Sequence, residues 1–180
     1  MRDHPGPLRR AVPISAIAVT LALLVVMPTC AGALDGQGGV EVRVTDHRAG
    51  IGDFTALHVE LAEVALHPRG KPRDQGWVTA VKRTPAVDIV PLKDGRWARV
   101  GDGVVPAGRY DAVRVWFGPA RGALRNGLVP EVRPIGSTVA LDLAVGPDRV
   151  AAVLVDLYVE DVSDHDPGHY LVKIKAVTVP

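Results

Sequence analysis

Apolar and polar residues alternate along much of this chain, and that period of two constrains the fold more than any other feature of the sequence. The alternation is clearest in three segments: 40–45 (VEVRVT), 56–61 (ALHVEL) and 137–145 (STVALDLAV). Because successive side chains of a β-strand point to opposite faces, the pattern predicts strands with one buried face. After Leu61 the apolar positions continue in the opposite phase at Val64 and Leu66, which predicts a β-bulge near residues 62–63.

The remaining strand candidates are short and are separated by turn sequences. They cover residues 77–81, 86–92, 109–117, 150–160 and 170–179, with a proline-interrupted edge segment at 129–135. Asp94-Gly95 and Gly146-Pro147-Asp148 are turn signals between them. No segment has the three-four apolar spacing of a helix. We therefore predict an all-β fold, a single antiparallel β-sandwich of about eight or nine strands, Ig-like or transthyretin-like.

The N-terminal segment has the composition of an export signal. Its basic beginning contains Arg2, Arg9 and Arg10, and it ends in the small residues Ala31-Gly32-Ala33. Between them, residues 11–27 carry no charge and are almost wholly apolar. This order is typical of a secretory signal, and we predict cleavage after Ala33. An uncleaved anchor is the alternative, because the apolar run is near the lower limit of roughly 17–25 residues for a membrane span.

Cleavage at this position defines the domain organisation. Residues 1–33 would be a signal peptide, residues 34–38 a flexible lead-in and residues 39–180 the folded domain. Cys30, the single cysteine, is a candidate lipidation site because it follows closely after an apolar run, although Met27, Pro28 and Thr29 stand where a lipoprotein signal typically has leucine and two small residues. The predicted location is therefore periplasmic, extracellular or at the cell surface, with Cys30 either lipid-anchored or removed with the signal.

Charge and cysteine content exclude several classes of function. The full chain has 21 basic and 20 acidic residues, and removal of three arginines and one aspartate with residues 1–33 leaves 18 and 19. A domain with this balance has no electrostatic basis for binding nucleic acid. Cleavage after Ala33 also removes Cys30, which excludes thiol catalysis and disulfide bonds. Contact with a membrane is predicted only through the signal segment or a lipid anchor.

Several short motifs occur in the order of a known family. They are Val44-Thr45-Asp46, Val59-Glu60-Leu61, Gly76-Trp77, Val87-Asp88-Ile89-Val90-Pro91-Leu92, Pro106-Ala107-Gly108-Arg109-Tyr110, Leu141-x-Leu143 and Val153-Leu154-Val155-Asp156. Together they resemble DUF4382, a family of bacterial exported domains of unknown function, over roughly residues 39–179. The resemblance implies a β-sandwich in a surface or periplasmic protein, often a lipoprotein, and it brings no catalytic residues. This chain departs from the family at Thr45-Asp46-His47, because a small residue and a proline often follow that aspartate.

The densest polar cluster of the chain lies in residues 160–169, EDVSDHDPGH. Its candidate metal ligands are Asp161, Asp164, His165, Asp166 and His169. Carboxylates grouped in a loop can bind Ca²⁺, and two histidines with a carboxylate can bind Zn²⁺. The simpler interpretation is a hairpin loop, because Asp166-Pro167-Gly168 is itself turn chemistry. A second polar loop with Asp46, His47 and Asp53 would add ligands only if both loops lie at one end of the sandwich.

Aromatic residues give two further hypotheses. Trp77, Trp97 and Trp116 could form a face on which sugar rings stack, or they could fill the core. Tyr110, which follows the turn residues Pro106 and Gly108, is predicted to have a structural role with its hydroxyl bonded to the backbone.

The sequence contains no Ser-His-Asp set, nucleophile elbow or phosphate-binding glycine loop. We therefore predict a non-enzymatic binding or structural module of the cell envelope, without a cofactor, whose partner is an envelope protein or a glycan. The alternatives are an envelope protein that binds Ca²⁺ or Zn²⁺ with residues 161–169, and a carbohydrate-binding module.

Overall fold

The computed structural model describes residues 36–47, 50–164 and 168–180, all within one compact unit, Ala31–Pro180. The described residues form ten strands: β1 (Gln37–Asp46), β2 (Phe54–Pro68), β3 (Val78–Lys82), β4 (Val87–Asp88), β5 (Ala98–Pro106), β6 (Gly108–Leu124), β7 (Glu131–Pro134), β8 (Ser137–Val145), β9 (Val150–Asp161) and β10 (His169–Thr178). Two short 3₁₀ turns are also present, Gly50–Asp53 and Val90–Leu92. In this part of the chain, no helical segment has the length and apolar character to cross a membrane.

The strands form two sheets that pack face to face. The first sheet has the order β5-β1-β9-β10-β7, and the second has the order β3-β2-β6-β8 with β4 also paired to β2. The all-β sandwich predicted from the sequence is therefore confirmed, with about ten strands. As expected, the segment at 129–135 provides an edge strand, and the structure places β9 in the interior of the first sheet.

The prediction of a wholly antiparallel sandwich is wrong for the first sheet. β1 pairs with β9 in parallel from Gly39↔Val150 to Asp46↔Leu157, and β7 pairs with β10 in parallel. The partners of each parallel pair are far apart in sequence, and between β1 and β9 the chain crosses repeatedly from one sheet to the other. Period-two alternation shows which face of a strand is buried, but it does not show the direction of a distant partner.

The core lies between the sheets and is built from the alternating apolar positions. The inward residues of β1 and β9 are Val40, Val42, Val44, Val153, Val155, Leu157 and Val159. All of them are fully or almost fully buried, and burial of each such side chain contributes about 1.5–3 kcal/mol before entropy is counted. A row of buried apolar side chains from β2, in the second sheet, faces them across the core.

The phase change in β2 coincides with breaks in its pairing to β6. The register shifts between Leu61 and Glu63, at the position of the predicted β-bulge. Beyond it, Val64 and Leu66 belong to the core, whereas Ala65 is buried outside the core cluster. The structure also limits the strand expected at 86–92 to the two residues of β4.

The chain changes sheets between β7 and β8 at Gly136. A Cβ atom at this position would lie 2.4 Å from the Trp116 ring and 2.6 Å from the carbonyl oxygen of Val115. Only glycine therefore lets the backbone pass this close to β6. Trp116 covers the crossing point and remains about half exposed.

Tyr110 fixes the turn between β5 and β6. Its hydroxyl donates a hydrogen bond to the carbonyl oxygen of Pro106 at 2.6 Å, and its ring is buried. Burial raises the pKa of Tyr110, so the hydroxyl remains protonated and continues to donate. Gly108 begins β6 directly after this turn.

Candidate functional site

Several loops meet at one end of the sandwich, which we call the loop end. Its described residues are 47 and 50–53, 93–97, 125–130, and 162–164 with 168. The hydroxyl of Thr45, at the end of β1, donates to the carbonyl of Arg96 at 2.7 Å. The amide of Arg125 donates to the carbonyl of Asp53 at 2.9 Å. Because β1 and β9 are parallel, the two polar loops that the sequence singled out both start from this end.

Two adjoining clefts open at the loop end, and they share Gly52 and Arg125. The larger, about 260 Å³, is lined by Ile51, Gly52, Val90, Lys93, Asp94 and Arg125. The smaller, about 160 Å³, is lined by Gly52, Asp53, Leu124, Arg125, Asn126 and Tyr170. Each is below the roughly 300–1,000 Å³ that encloses a drug-sized ligand. Each cleft is therefore suited to a single ring or side chain of a larger ligand.

Arg125 is positioned by the backbone of the facing loop. Its Nε donates to the carbonyl oxygen of Gly52 at 2.8 Å, in addition to the bond that its amide makes to Asp53. Among the described residues, the structure gives no partner to its terminal guanidinium nitrogens. The side chain is thus held at its base while two pairs of charged donors remain available to an acceptor.

Tyr170 and Asp53 form the floor of the smaller cleft. The Tyr170 hydroxyl donates to Oδ2 of Asp53 at 3.2 Å, and its ring meets Phe54 edge to face with centroids 4.7 Å apart. Burial, and then the negative charges of Asp53 and Asp161, raise the pKa of Tyr170 to about 12. The phenol is therefore neutral at physiological pH and acts as a hydrogen-bond donor.

Apolar side chains project from the rim of this end. Leu128 is 53% exposed and Val129 is 90% exposed, at the tip of the loop between β6 and β7. Val162, after β9, is also exposed. Single exposed apolar residues are ordinary, but adjacent ones at a loop tip beside a cleft are typical of a contact surface.

Asp46 ends β1 with its side chain buried. It is 5% exposed, and neither carboxylate oxygen has a hydrogen-bond partner among the described residues. Burial, and then the charge of Asp156, raise the pKa of Asp46 to about 7. The amide of His47 acts in the opposite direction and lowers the pKa of Asp46 by less; this amide donates to the Leu157 carbonyl at 2.8 Å. The sequence analysis placed Asp46 in a polar loop. In the structure the even-numbered residues of β1 point into the core, and Asp46 is the last of them.

His47 belongs instead to a charged group on the outer face of the first sheet. Its Nδ1 lies 3.9 Å from Oδ2 of Asp156, and its Nε2 contacts Nζ of Lys175. Burial raises the pKa of Asp156, although the charges of His47 and Lys175 act in the opposite direction. Asp46 and His47 are consecutive, and they therefore serve opposite sides of the sheet.

Of the predicted metal ligands that the structure describes, Asp161 and His169 are engaged with other groups of the protein. Oδ1 of Asp161 accepts the amide of Ser163 at 2.9 Å, and Nε2 of His169 lies 3.0 Å from Oε2 of Glu131. Asp164 is exposed. No group of three potential metal ligands occurs among the described residues. His165 and Asp166, like Cys30, lie outside them.

The Ser163 hydroxyl makes hydrogen bonds to the backbone on the far side of the same loop. Its hydroxyl oxygen accepts the amides of Gly168 at 3.0 Å and His169 at 3.2 Å, and the hydroxyl lies 3.3 Å from the His169 carbonyl. A serine that satisfies backbone groups in this way closes a loop without any ion.

The three tryptophans do not share one surface. Trp97 lies on the outer side of the first sheet, where the guanidinium of Arg43 stacks 4.0 Å from its centroid. Trp77 lies on the second sheet, 4.6 Å from the guanidinium of Arg114. Trp97 is thus on a different sheet from Trp77 and Trp116, so the three tryptophans do not form one common stacking face.

A buried histidine and a partly exposed aspartate form an ion pair that sequence reasoning missed, and the pair ties the loop after β2 to β6. His67 is fully buried, with Nδ1 2.7 Å from Oδ1 of Asp111 and Nε2 2.9 Å from the Pro72 carbonyl. Both partners are acceptors, so both ring nitrogens donate and the ring is positively charged. The Pro72 carbonyl and then Asp111 raise the pKa of His67. A lone histidine on a strand does not identify a partner 44 residues away.

Comparison with known proteins identifies one family over nearly all of the domain. The family model described as "Domain of unknown function (DUF4382)" matches residues 37–173, which confirms the resemblance carried by the sequence motifs. No curated protein and no solved structure matches the chain.

Proposed function

Because this chain belongs to the DUF4382 family, whose description assigns no function, we propose a function from its own geometry: an exported module of the cell envelope that binds its ligand at the loop end and catalyses no reaction. The observation that carries the proposal is the pair of adjoining clefts that share Arg125. The N-terminal export pattern and the location implied by the family resemblance supply the compartment.

The loop end has the organisation of a preformed binding surface. Arg125 is fixed through Gly52, and Tyr170 is fixed through Asp53. The protein's own groups make these bonds, so binding would require little further ordering of the side chains. Loops held by a rigid sandwich commonly carry binding function for this reason.

The polar groups of the clefts favour a glycan as the ligand. Arg125 and Lys93 offer cationic donors, and Asn126 and the Tyr170 hydroxyl line the same region. Hydroxyl and carboxylate groups of an envelope polysaccharide match this mixture of donors and acceptors. Two clefts that each accept one ring are suited to neighbouring units of a chain of sugars.

An envelope protein is the second candidate partner, and the exposed loop tip is the observation that favours it. Leu128 and Val129 lie beside the clefts and could be buried in a protein interface. Val129→Asp should abolish binding to a protein partner through this tip, while Arg125→Ala should have the larger effect on binding to a glycan.

Retention on insoluble peptidoglycan and on immobilised acidic and neutral polysaccharides tests the glycan hypothesis. We expect the protein to be retained on at least one of these materials. Arg125→Ala should weaken retention at least about tenfold, because a hydrogen bond to a charged group contributes about 1.5–3 kcal/mol.

Arg149→Ala is the matched control for this experiment. Arg149 is an exposed arginine in the turn before β9, at the opposite end of the sandwich, so its loss changes the net charge equally. Equal weakening by both variants would show a general charge effect and would contradict the assignment of the loop end.

Export is tested separately by the mass and location of the full chain expressed in a bacterium. We expect extracytoplasmic protein that begins at Leu34 or at a lipidated Cys30. Protein that keeps residues 1–33 and stays in the cytoplasm would contradict the proposed compartment.

A further inference from the structure

A further cleft, which shares no residue with the loop end, opens on the outer face of the second sheet. We call it the outer cleft; its volume is about 220 Å³, and it is lined by His58, Glu60, Ala86, Pro119 and Arg121. This volume is below that of a site for a drug-sized ligand. The outer cleft is therefore suited to a compact ligand.

A β-bulge in the pairing of β2 with β6 shapes the outer cleft. Across Glu60, the β6 partner changes from Ala120 to Phe117, so two residues of β6, Gly118 and Pro119, stand opposite one residue of β2. Proline is compatible with a strand at such a bulge. A bulge bends the strand that contains it and changes the direction of neighbouring side chains.

Gly118 gives the Glu60 side chain its place over β6. A Cβ atom at Gly118 would lie 3.0 Å from Cδ of Glu60 and 3.1 Å from its Oε1. The Glu60 side chain is only 24% exposed, and its one charged neighbour among the described residues is Arg83, whose Nε lies 3.7 Å from Oε1. That distance is too long for a hydrogen bond. The Glu60 carboxylate is therefore largely buried and still available to a donor.

His58 and Arg121 stand directly opposite each other on β2 and β6. Leu57 and Val59 are buried in the core, so the alternation of β2 points His58 outward, and directly opposite residues share a face of the sheet. Both side chains are exposed, and the structure gives neither of them a hydrogen bond or ion pair within the described residues. An imidazole N–H and a guanidinium can thus donate to one acceptor in the outer cleft.

We propose that the outer cleft binds a free α-amino acid with a short side chain. The guanidinium of Arg121 and the imidazole of His58 bind the α-carboxylate, because charge-assisted bonds from arginine suit a carboxylate. The carboxylate of Glu60 accepts hydrogen bonds from the α-ammonium group. Ala86 and Pro119 supply an apolar wall for the short side chain. This site is separate from the loop end and does not depend on the glycan proposed there.

The charges of the outer cleft favour a zwitterion over a simple anion. A carboxylate, Glu60, and a guanidinium, Arg121, line the same cleft, and the structure records no ion pair between them. A ligand with both signs of charge compensates both groups. A phosphate or a second carboxylate would instead be repelled by Glu60, and this repulsion selects against purely anionic ligands.

Titration of the isotopically labelled full chain with L-alanine and with D-alanine, followed by amide chemical shifts, tests the proposal. We expect saturable shifts at residues 58–60 and 118–121 with at least one enantiomer, at about millimolar dissociation constant. N-acetylalanine lacks the ammonium group and alanine amide lacks the carboxylate. Each analogue should bind at least about tenfold more weakly than alanine, because each leaves one charged group of the cleft without a partner.

Substitutions in the outer cleft test the assigned groups one at a time. Arg121→Gln and Glu60→Gln should each weaken binding of alanine at least about tenfold. Gly118→Ala should also weaken it, because the added Cβ displaces the Glu60 carboxylate. Arg109→Gln is the matched control and should leave binding unchanged, since Arg109 is an exposed arginine at the start of the same strand and does not line the cleft.

Two variants separate this proposal from the glycan site at the loop end. Arg125→Ala should weaken retention on polysaccharide and leave alanine binding unchanged. Arg121→Gln should have the opposite pattern. A failure at one site is therefore distinguishable from a failure at the other.

Three results would overturn the proposal. The first is the absence of saturable shifts with either enantiomer at concentrations about tenfold above a millimolar dissociation constant. The second is binding of N-acetylalanine or alanine amide as tight as that of alanine. The third is equal weakening by Arg109→Gln and Arg121→Gln. Circular dichroism identifies any variant that has lost its fold, and the two alanine analogues decide the question on the unsubstituted chain.

Discussion

Asp46→Asn should stabilise the protein at neutral and alkaline pH. The carboxyl of Asp46 is buried without a hydrogen-bond partner among the described residues, and the pKa of Asp46 rises from 3.8 to about 7. The folded state therefore holds a proton that the unfolded chain releases between these two pKa values. Since the native state binds more protons in this interval, stability falls as pH rises.

The magnitude follows from the size of the shift. A shift of about three pKa units corresponds to about 4 kcal/mol at 1.36 kcal/mol per unit. That is a large fraction of the roughly 5–15 kcal/mol that stabilises a typical domain. Near pH 4 the wild type and Asp46→Asn should be about equally stable. Their difference should grow through pH 7 and reach its full value near pH 8.

Urea unfolding of both proteins at intervals from pH 4 to pH 8.5 measures this difference. Asp74→Asn is the matched control, because Asp74 is an exposed aspartate in the loop after β2, and its effect should be small at every pH. The charge of Asp156 contributes to the raised pKa of Asp46, so the midpoint of the wild-type profile depends on the ionisation of Asp156 as well. A difference between Asp46→Asn and wild type that stays constant from pH 4 to pH 8.5 would refute the reasoning, as would a less stable variant at pH 8.

Four further predictions concern the fold and the polar loop. Tyr110→Phe removes one hydrogen bond to the backbone and should cost about 1 kcal/mol of unfolding free energy; no loss in urea unfolding would contradict its structural role. Gly136→Ala should cost about 1–3 kcal/mol through overpacking against Trp116, and Trp116→Ala in the same chain should recover part of that loss; additive losses would disprove the contact. His67→Leu should lower the free energy of unfolding by about 2 kcal/mol below pH 6. Because the pKa of His67 is raised in the folded state, the stability difference between wild type and variant should shrink as pH rises through that pKa. A stability difference that grows with pH would contradict the assignment. Added Ca²⁺ or Zn²⁺ should leave the melting temperature unchanged, because Asp161, Ser163 and His169 are engaged in bonds within the protein; a rise of several degrees that Asp164→Ala abolishes would establish a metal site instead.

The strands and their buried faces could be predicted because both depend on local pattern. Val40, Val42 and Val44 face the core as their alternation predicts, and the bulge near residue 62 follows from the change of phase. Tyr110 could be assigned because its partner, Pro106, lies four residues away in the same turn. Local periodicity and turn chemistry contain this information directly.

The site could be predicted only in part, since its geometry depends on partners that are distant in sequence. The parallel pairing of β1 with β9 brings two polar loops to one end, but no property of either strand specifies it. Arg125 becomes important through a carbonyl 73 residues away, at Gly52. Asp46 points inward because β1 continues through residue 46 with its alternation unbroken. The polar sequence Thr45-Asp46-His47 indicates instead that the strand ends before Asp46.

Amide chemical-shift mapping of the protein tests the central claim most directly. Soluble peptidoglycan fragments and acidic oligosaccharides would be titrated into isotopically labelled protein. The account predicts that saturable shifts concentrate at the loop end, at Gly52, Arg125, Asn126 and Tyr170. Shifts confined to the outer faces of the sheets, or no saturable shift with any of these ligands, would contradict a glycan-binding site at the loop end.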